Sequence, residues 1–216
     1  MTSAPHPPPA RFNFAAHVLA RAATQPDHVA YVDETGTLSY GELALRLRRF
    51  AAALAGLGLR PEERVLLLAH DGLQWPVAFL GALYAGVVPV AVNTMLTSDD
   101  YAYMLAHSRA RAAIVSPALL ATLESAMARA AHGVEHIVVC AAAGDTAPAP
   151  RYRDFETLLQ GAAPQATHFD SAGDDIGFWL YSSGSTGRPK GTVHTHANLY
   201  WTNVTYAQNV LALTPG

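Results

Sequence analysis

The sequence predicts an α/β domain of parallel-sheet layers with helices on both faces. Two observations carry the prediction, and composition supports it. Short, almost wholly apolar runs occur at residues 65–69, 87–92, 112–115 and 136–140. Strands buried on both faces read as continuous apolar runs, not as alternation. Helix-like segments separate these runs at the spacing of βαβ units. Charged residues make up 14 % of the 216 and hydrophobic ones 50 %, against a usual ~25 % charged, so much of the surface should be buried.

The chain opens with a Pro-rich stretch, residues 1–11, expected to be disordered. Residues 12–24 read as a first helix closed by Pro26. Short strands at 29–32 and 37–38 flank a turn at Glu34, Thr35 and Gly36. Ser39 and Glu42 have capping-box spacing. Behind them Leu43, Leu47, Phe50, Leu54 and Leu57 share one helical face, with Arg46 and Arg49 expected in solvent. After the strand at 65–69, Asp71 is the expected cap of a helix over 73–85, with Trp75, Phe79 and Leu83 on one face. Gly86 turns that helix into the strand at 87–92.

A helix from Ser98 to His107 follows, then the strand at 112–115 and a helix from Pro117 to about residue 131. The strand at 136–140 ends on Cys140, read as a buried, inert thiol. Residues 141–151 read as a surface loop, 155–159 as a short helix, and 171–175 as a polar turn with Asp174 and Asp175 solvated. The apolar run 176–180 reads as a buried strand. Past residue 191, Thr192 and Val193 continue extended, and Thr195 or His196 opens a helix to about residue 211.

The densest chemistry lies in residues 181–191: Tyr181, Ser182, Ser183, Gly184, Ser185, Thr186, Gly187, Arg188, Pro189, Lys190 and Gly191. Glycines permit close approach of backbone to a ligand. Successive backbone N–H groups in such a loop form anion-binding nests, hydroxyls add rotatable donors, and Lys190 and Arg188 add positive charge. Together they read as a polyphosphate cradle. The pattern is not the P-loop, since Lys190 precedes Gly191 and not Ser or Thr, and it is not the dinucleotide fingerprint. A flexible Ser/Gly linker would not need Pro189-Lys190-Gly191 behind a buried strand.

Residues 182–191 resemble throughout the phosphate loop of the acyl-adenylate-forming superfamily, which includes acyl-CoA synthetases, peptide-synthetase adenylation domains and luciferases. The flanks, Phe178 to Tyr181 and Val193 to Thr202, look like the benzoate–CoA ligase branch. The resemblance runs from Phe12 onward. It implies that residues 12–216 are the front part of the large N-terminal, AMP-binding domain, whose remainder and C-terminal lid would lie beyond Gly216. It further implies ATP, Mg²⁺ and coenzyme A as cofactors and an aryl carboxylate, benzoate or a relative, as substrate. Ser182, Ser183, Gly184, Ser185, Thr186, Gly187 and Lys190 are the implied phosphate-binding residues, with Mg²⁺ beside Thr186. No catalytic residue is assigned within the chain, and residues 1–216 alone are expected to be inactive.

Two other readings stay open: a catalytically inactive nucleotide-binding fragment, and part of an amino-acid adenylation domain. His194 and His196 read as packing or capping residues at the following helix before they read as general bases. Trp179 and Tyr181 read as core before they read as substrate-facing.

The formal net charge of −3 gives no sign of a nucleic-acid partner. The ten histidines and single cysteine form no metal-site spacing. Residues 75–92 are uncharged, but Gly81, Gly86 and Pro89 interrupt them and no Lys or Arg lies between Arg64 and Arg109. A buried helix and strand, no membrane partner and a cytoplasmic location are expected, with a homo-oligomer among the options.

Overall fold

The computed structural model describes residues 6–141, 149–182 and 188–213. Helix α1 (Phe14–Ala22) is capped by Asn13, whose Oδ1 accepts from the Ala16 amide. Strands β1 (Val29–Asp33) and β2 (Gly36–Ser39) pair as a separate antiparallel hairpin. The capping box of Ser39 and Glu42 opens α2 (Tyr40–Gly56) as expected. There follow β3 (Arg64–Leu68), α3 (Gln74–Ala85), β4 (Val88–Ala91), α4 (Ser98–Ser108), β5 (Ala112–Val115), α5 (Leu120–Met127) and β6 (His136–Val139). The last part contains β7 (Arg153–Asp154), α6 (Phe155–Gln160), β8 (Ile176–Ser182), β9 (Lys190–Thr195) and α7 (His196–Thr202).

Seven strands form one sheet in the order β7-β6-β5-β3-β4-β8-β9. All neighbours are parallel except β8 and β9, which are antiparallel. Successive residues of each strand face opposite layers, and both layers are filled. Val65, Leu67, Ile114, Val138 and Phe178 pack with α1, α2, α3 and α6. Leu66, Leu68, Val90, Val115 and Val139 pack with α4 and α5. The predicted α/β class with helices on both faces is the architecture observed. No helix among the described residues is long and apolar enough to cross a membrane; α3 is buried between α2 and the sheet.

Helices α2 and α3 approach closely at Gly81. A Cβ there would lie 2.8 Å from the Leu47 carbonyl oxygen and 2.9 Å from Phe50 Cδ1. Phe50 is itself held by stacking on Phe155 at 5.3 Å. Gly86 ends α3 in the left-handed conformation at φ 74°, as the turn into β4 requires.

Several local expectations differ. Asp33, not Asp71, serves the start of α3: its Oδ2 accepts from the Leu73 amide, tying the small hairpin to the main layer. Arg46 is not free in solvent but pairs with Glu156 at 2.5 Å, with 28 % of its side chain exposed. The helix after Pro117 begins as a 3-10 turn and stops at Met127. Helix α7 ends at Thr202 and continues as a π-helical turn over Asn203–Gln208. Residues 142–148 of the expected surface loop, and residues 1–5, lie outside the described residues. Residues 6–11 lie against the domain: the Tyr200 hydroxyl donates to the His6 carbonyl, and Arg11 pairs with Asp170.

The last described helix is tied back to the first. Thr195 caps α7 in a capping box with Asn198. His196, 2 % exposed, accepts the Phe14 amide on Nδ1 at 3.2 Å, while its own amide donates to the Asp175 carbonyl. Burial lowers its pKa to about 4, against a weaker opposing pull from Asp175. His194 stacks on Phe178 at 4.6 Å. Both histidines therefore pack, as the sequence suggested. Cys140 is buried, and burial pushes its thiol pKa up.

Two predictions follow from this packing. Gly81→Ala forces the α2–α3 contact apart and should destabilise the fold by about 1–3 kcal/mol. It should be read as a lower urea midpoint at unchanged slope, and an unshifted midpoint would show that the contact yields freely. His196 is neutral when folded, whereas the unfolded chain takes up a proton near the ordinary value of ~6.5. Its contribution is therefore intact above that value and erodes as pH falls from 6.5 towards about 4. Between pH 7 and 5 the wild type should lose about 2 kcal/mol relative to His196→Gln; parallel stability curves for the two proteins would contradict this.

Candidate functional site

Strand β8 is parallel to β4, so its last residue, Ser182, lies at the carboxyl edge of the sheet. That edge is where open α/β sheets bind ligands. β9 returns antiparallel, and Ser182 stands in register with Lys190 and Tyr181 with Gly191. The two ends of the candidate loop are therefore joined by a β-ladder, a fixed mount that a linker would lack. Of the seven residues expected to bind phosphate, Ser182 and Lys190 are brought face to face, and both are exposed. Ser183, Gly184, Ser185, Thr186 and Gly187 lie outside the described residues.

The rim is electrostatically one-sided. Residues 176–195 contain Arg188 and Lys190 and no acidic side chain. Neither cation forms an ion pair among the described residues. An exposed, acid-free pair of cations beside a hydroxyl-rich loop suits a polyphosphate. No group of three or more His, Cys, Asp or Glu side chains placed to hold a metal ion occurs among the described residues.

Beside the hairpin lies a cluster of rings. Trp179 and Tyr181 sit on the face that packs with α4. His107 Nδ1 and the Tyr181 hydroxyl share a hydrogen bond of 2.8 Å. His107 stacks on Tyr103 at 5.4 Å and lies 6.0 Å from the Trp179 ring. The Arg188 guanidinium sits 5.6 Å over the Tyr103 ring. Burial, with Tyr103 close by, pushes the Tyr181 phenol pKa up, so it stays protonated and able to donate. Trp179 and Tyr181 are thus packing residues in this structure. Tyr103 and His107 had no site role in the sequence reading. Their spacing of four, which puts both on one helical face, was the available signal.

The AMP-binding enzyme family model matches residues 18–215. A benzoate–CoA ligase of Thauera aromatica is 43 % identical over 96 % of this chain and 38 % of its own length. A solved benzoate–CoA ligase of Burkholderia xenovorans LB400 superposes with a TM-score of 0.84 at 50 % identity, over 94 % of this chain and 38 % of that one. An anthranilate–CoA ligase solved with anthranoyl-AMP superposes with a TM-score of 0.89 at 30 % identity, over 95 % of this chain and 39 % of that one. The chain thus spans about two fifths of the length of these relatives. With the family model covering nearly all of it, this chain belongs to the AMP-binding enzyme family.

Proposed function

We propose that the chain is the front part of a carboxylate–CoA ligase that uses ATP to activate benzoate or a ring-substituted relative, and that residues 182–190 hold the polyphosphate. The observation carrying this reading is the phosphate-loop sequence, mounted between Ser182 and Lys190 at the sheet's carboxyl edge. The similarity to benzoate–CoA ligases supports the aryl class, and the anthranilate ligase supports ring substitution.

In the proposed reaction a carboxylate oxygen bonds to the α-phosphorus of ATP as the bond to the β-phosphate bridging oxygen breaks, releasing pyrophosphate. The thiolate of coenzyme A then attacks the acyl carbon, and the bond to the AMP oxygen breaks. The first step brings two anions together, so the barrier falls when fixed donors and cations face the phosphates. Lys190 would offset charge there, and Ser182, Ser183, Ser185 and Thr186 would donate hydrogen bonds. Gly184 and Gly187 would let backbone approach the phosphate oxygens. When bound, Mg²⁺ supplies further neutralisation, with Thr186 the proposed protein ligand.

Lys190→Ala in the full-length protein should slow benzoate-dependent ATP–pyrophosphate exchange by about 10²-fold with the fold intact by circular dichroism. Unchanged exchange would remove the loop from the mechanism. A full-length wild type that prefers fatty acids or amino acids over benzoates would overturn the substrate assignment. Residues 1–216 alone should give no benzoate- and CoA-dependent AMP, because an in-line geometry needs groups on both sides of the phosphate and ~1 Å of misplacement already costs about 100-fold. Measurable turnover by the isolated chain would contradict that expectation.

A further inference from the structure

We propose that Tyr103 and His107 of α4 are positioning residues that brace both stems of the phosphate-loop hairpin, holding the loop in register for polyphosphate. The inference rests on the function proposed above. On the entry stem, His107 bonds the Tyr181 hydroxyl at 2.8 Å, one residue before Ser182. On the exit stem, His107 lies against Gly191, where an added Cβ would meet His107 Cε1 at 3.2 Å. Tyr181 and Gly191 are register partners, so one imidazole spans the rung next to the Ser182–Lys190 rung. Tyr103 stacks on that imidazole at 5.4 Å and receives the Arg188 guanidinium on its face at 5.6 Å. Arg188 is the first described residue after the loop.

The brace is itself anchored. Thr97 and Asp100 form a capping box at the start of α4. Tyr101, Met104 and Leu105 on its other side are fully buried. A rigid helix thus presents two rings, one turn apart, to a two-stranded ribbon whose far edge has no neighbour among the described strands. A two-stranded ribbon has little stability of its own. The ring contacts therefore supply constraint where the ladder supplies least. Among the described hairpin residues His107 touches the stem residues Tyr181 and Gly191, which makes its role positional.

The test uses the full-length protein with His107→Leu, His107→Gln, Tyr181→Phe and the double variant His107→Leu/Tyr181→Phe. Two readouts are taken: benzoate-dependent ATP–pyrophosphate exchange, and amide hydrogen exchange over residues 188–193. With His107→Leu, kcat should fall and the KM for ATP rise, lowering kcat/KM for ATP by about 10–100-fold while the KM for benzoate stays within about twofold. His107→Gln, whose amide can reach the Tyr181 hydroxyl, should recover most of the loss. The double variant should be no worse than the poorer single one, as expected for two ends of one contact. Hydrogen exchange at residues 188–193 should accelerate by about tenfold or more without change in β3 and β5. Wild-type kinetics in His107→Leu overturn the proposal, as does faster exchange spread evenly through β3 and β5. If the wild type activates no benzoate, the function proposed above fails, and hydrogen exchange still decides whether the rings brace the hairpin.

Discussion

Covering a parallel sheet on both faces is the constraint on which the other features depend. Once Val65, Leu67 and Ile114 are buried against one helical layer and Leu66, Leu68 and Val115 against the other, neither face can hold a charged ligand. Moving an ionised group into that interior would cost far more than the fold can spare. Polar chemistry is confined to the strand ends. At the carboxyl edge, β8 reaches beyond its two-residue pairing with β4 and turns back as β9. The hairpin thereby carries its loop clear of the core while its stem stays continuous with the sheet.

Much of that architecture was legible because its signals are local. Apolar runs marked β3, β4, β5 and β6 within a residue or two. Ser39 and Glu42 marked the start of α2, and Gly86 the end of α3. What was not legible depends on partners distant in sequence. Strand β7 has only Arg153 and Asp154, too short for any period, and exists because Val138 and Val139 of β6 offer a ladder. The α3 start looked like the province of Asp71, yet Asp33 occupies it from a hairpin 40 residues earlier in the chain. Arg46 has the spacing of a solvated residue and is drawn into an ion pair by Glu156, on a helix that sequence alone does not place beside it.

The site divides in the same way. The chemistry proposed for it is concentrated in ten consecutive residues, 182–191, and was legible as a local pattern, but its mechanical support was not. Tyr103 and His107 belong to a helix whose sequence advertises only a cap and a buried face. Their relation to Tyr181, Arg188 and Gly191 appears only when β4 and β8 become neighbours, bringing segments more than 70 residues apart together. Trp179 illustrates the converse. It was a plausible substrate-facing ring by sequence, and strand alternation turns it towards the α4 layer, where its Nε1 is buried without a hydrogen-bond partner among the described residues.

Charge placement links the fold to the chemistry. Arg11, Arg46, Arg111, Arg129 and Arg151 each pair with a carboxylate. Arg188 and Lys190 lie in a segment without acidic residues, and Arg188 rests on the face of Tyr103. Pairing these two cations would add little stability, since exposed ion pairs contribute about 0–1 kcal/mol. It would also offset the positive charge at the rim. An aromatic face is a different kind of support: it attracts a cation through its quadrupole and leaves the formal charge uncompensated. Arg188 can thus be held in place and still present its charge at the rim. A carboxylate in the place of Tyr103 would pair with Arg188 and offset the positive charge that the aromatic face leaves at the rim.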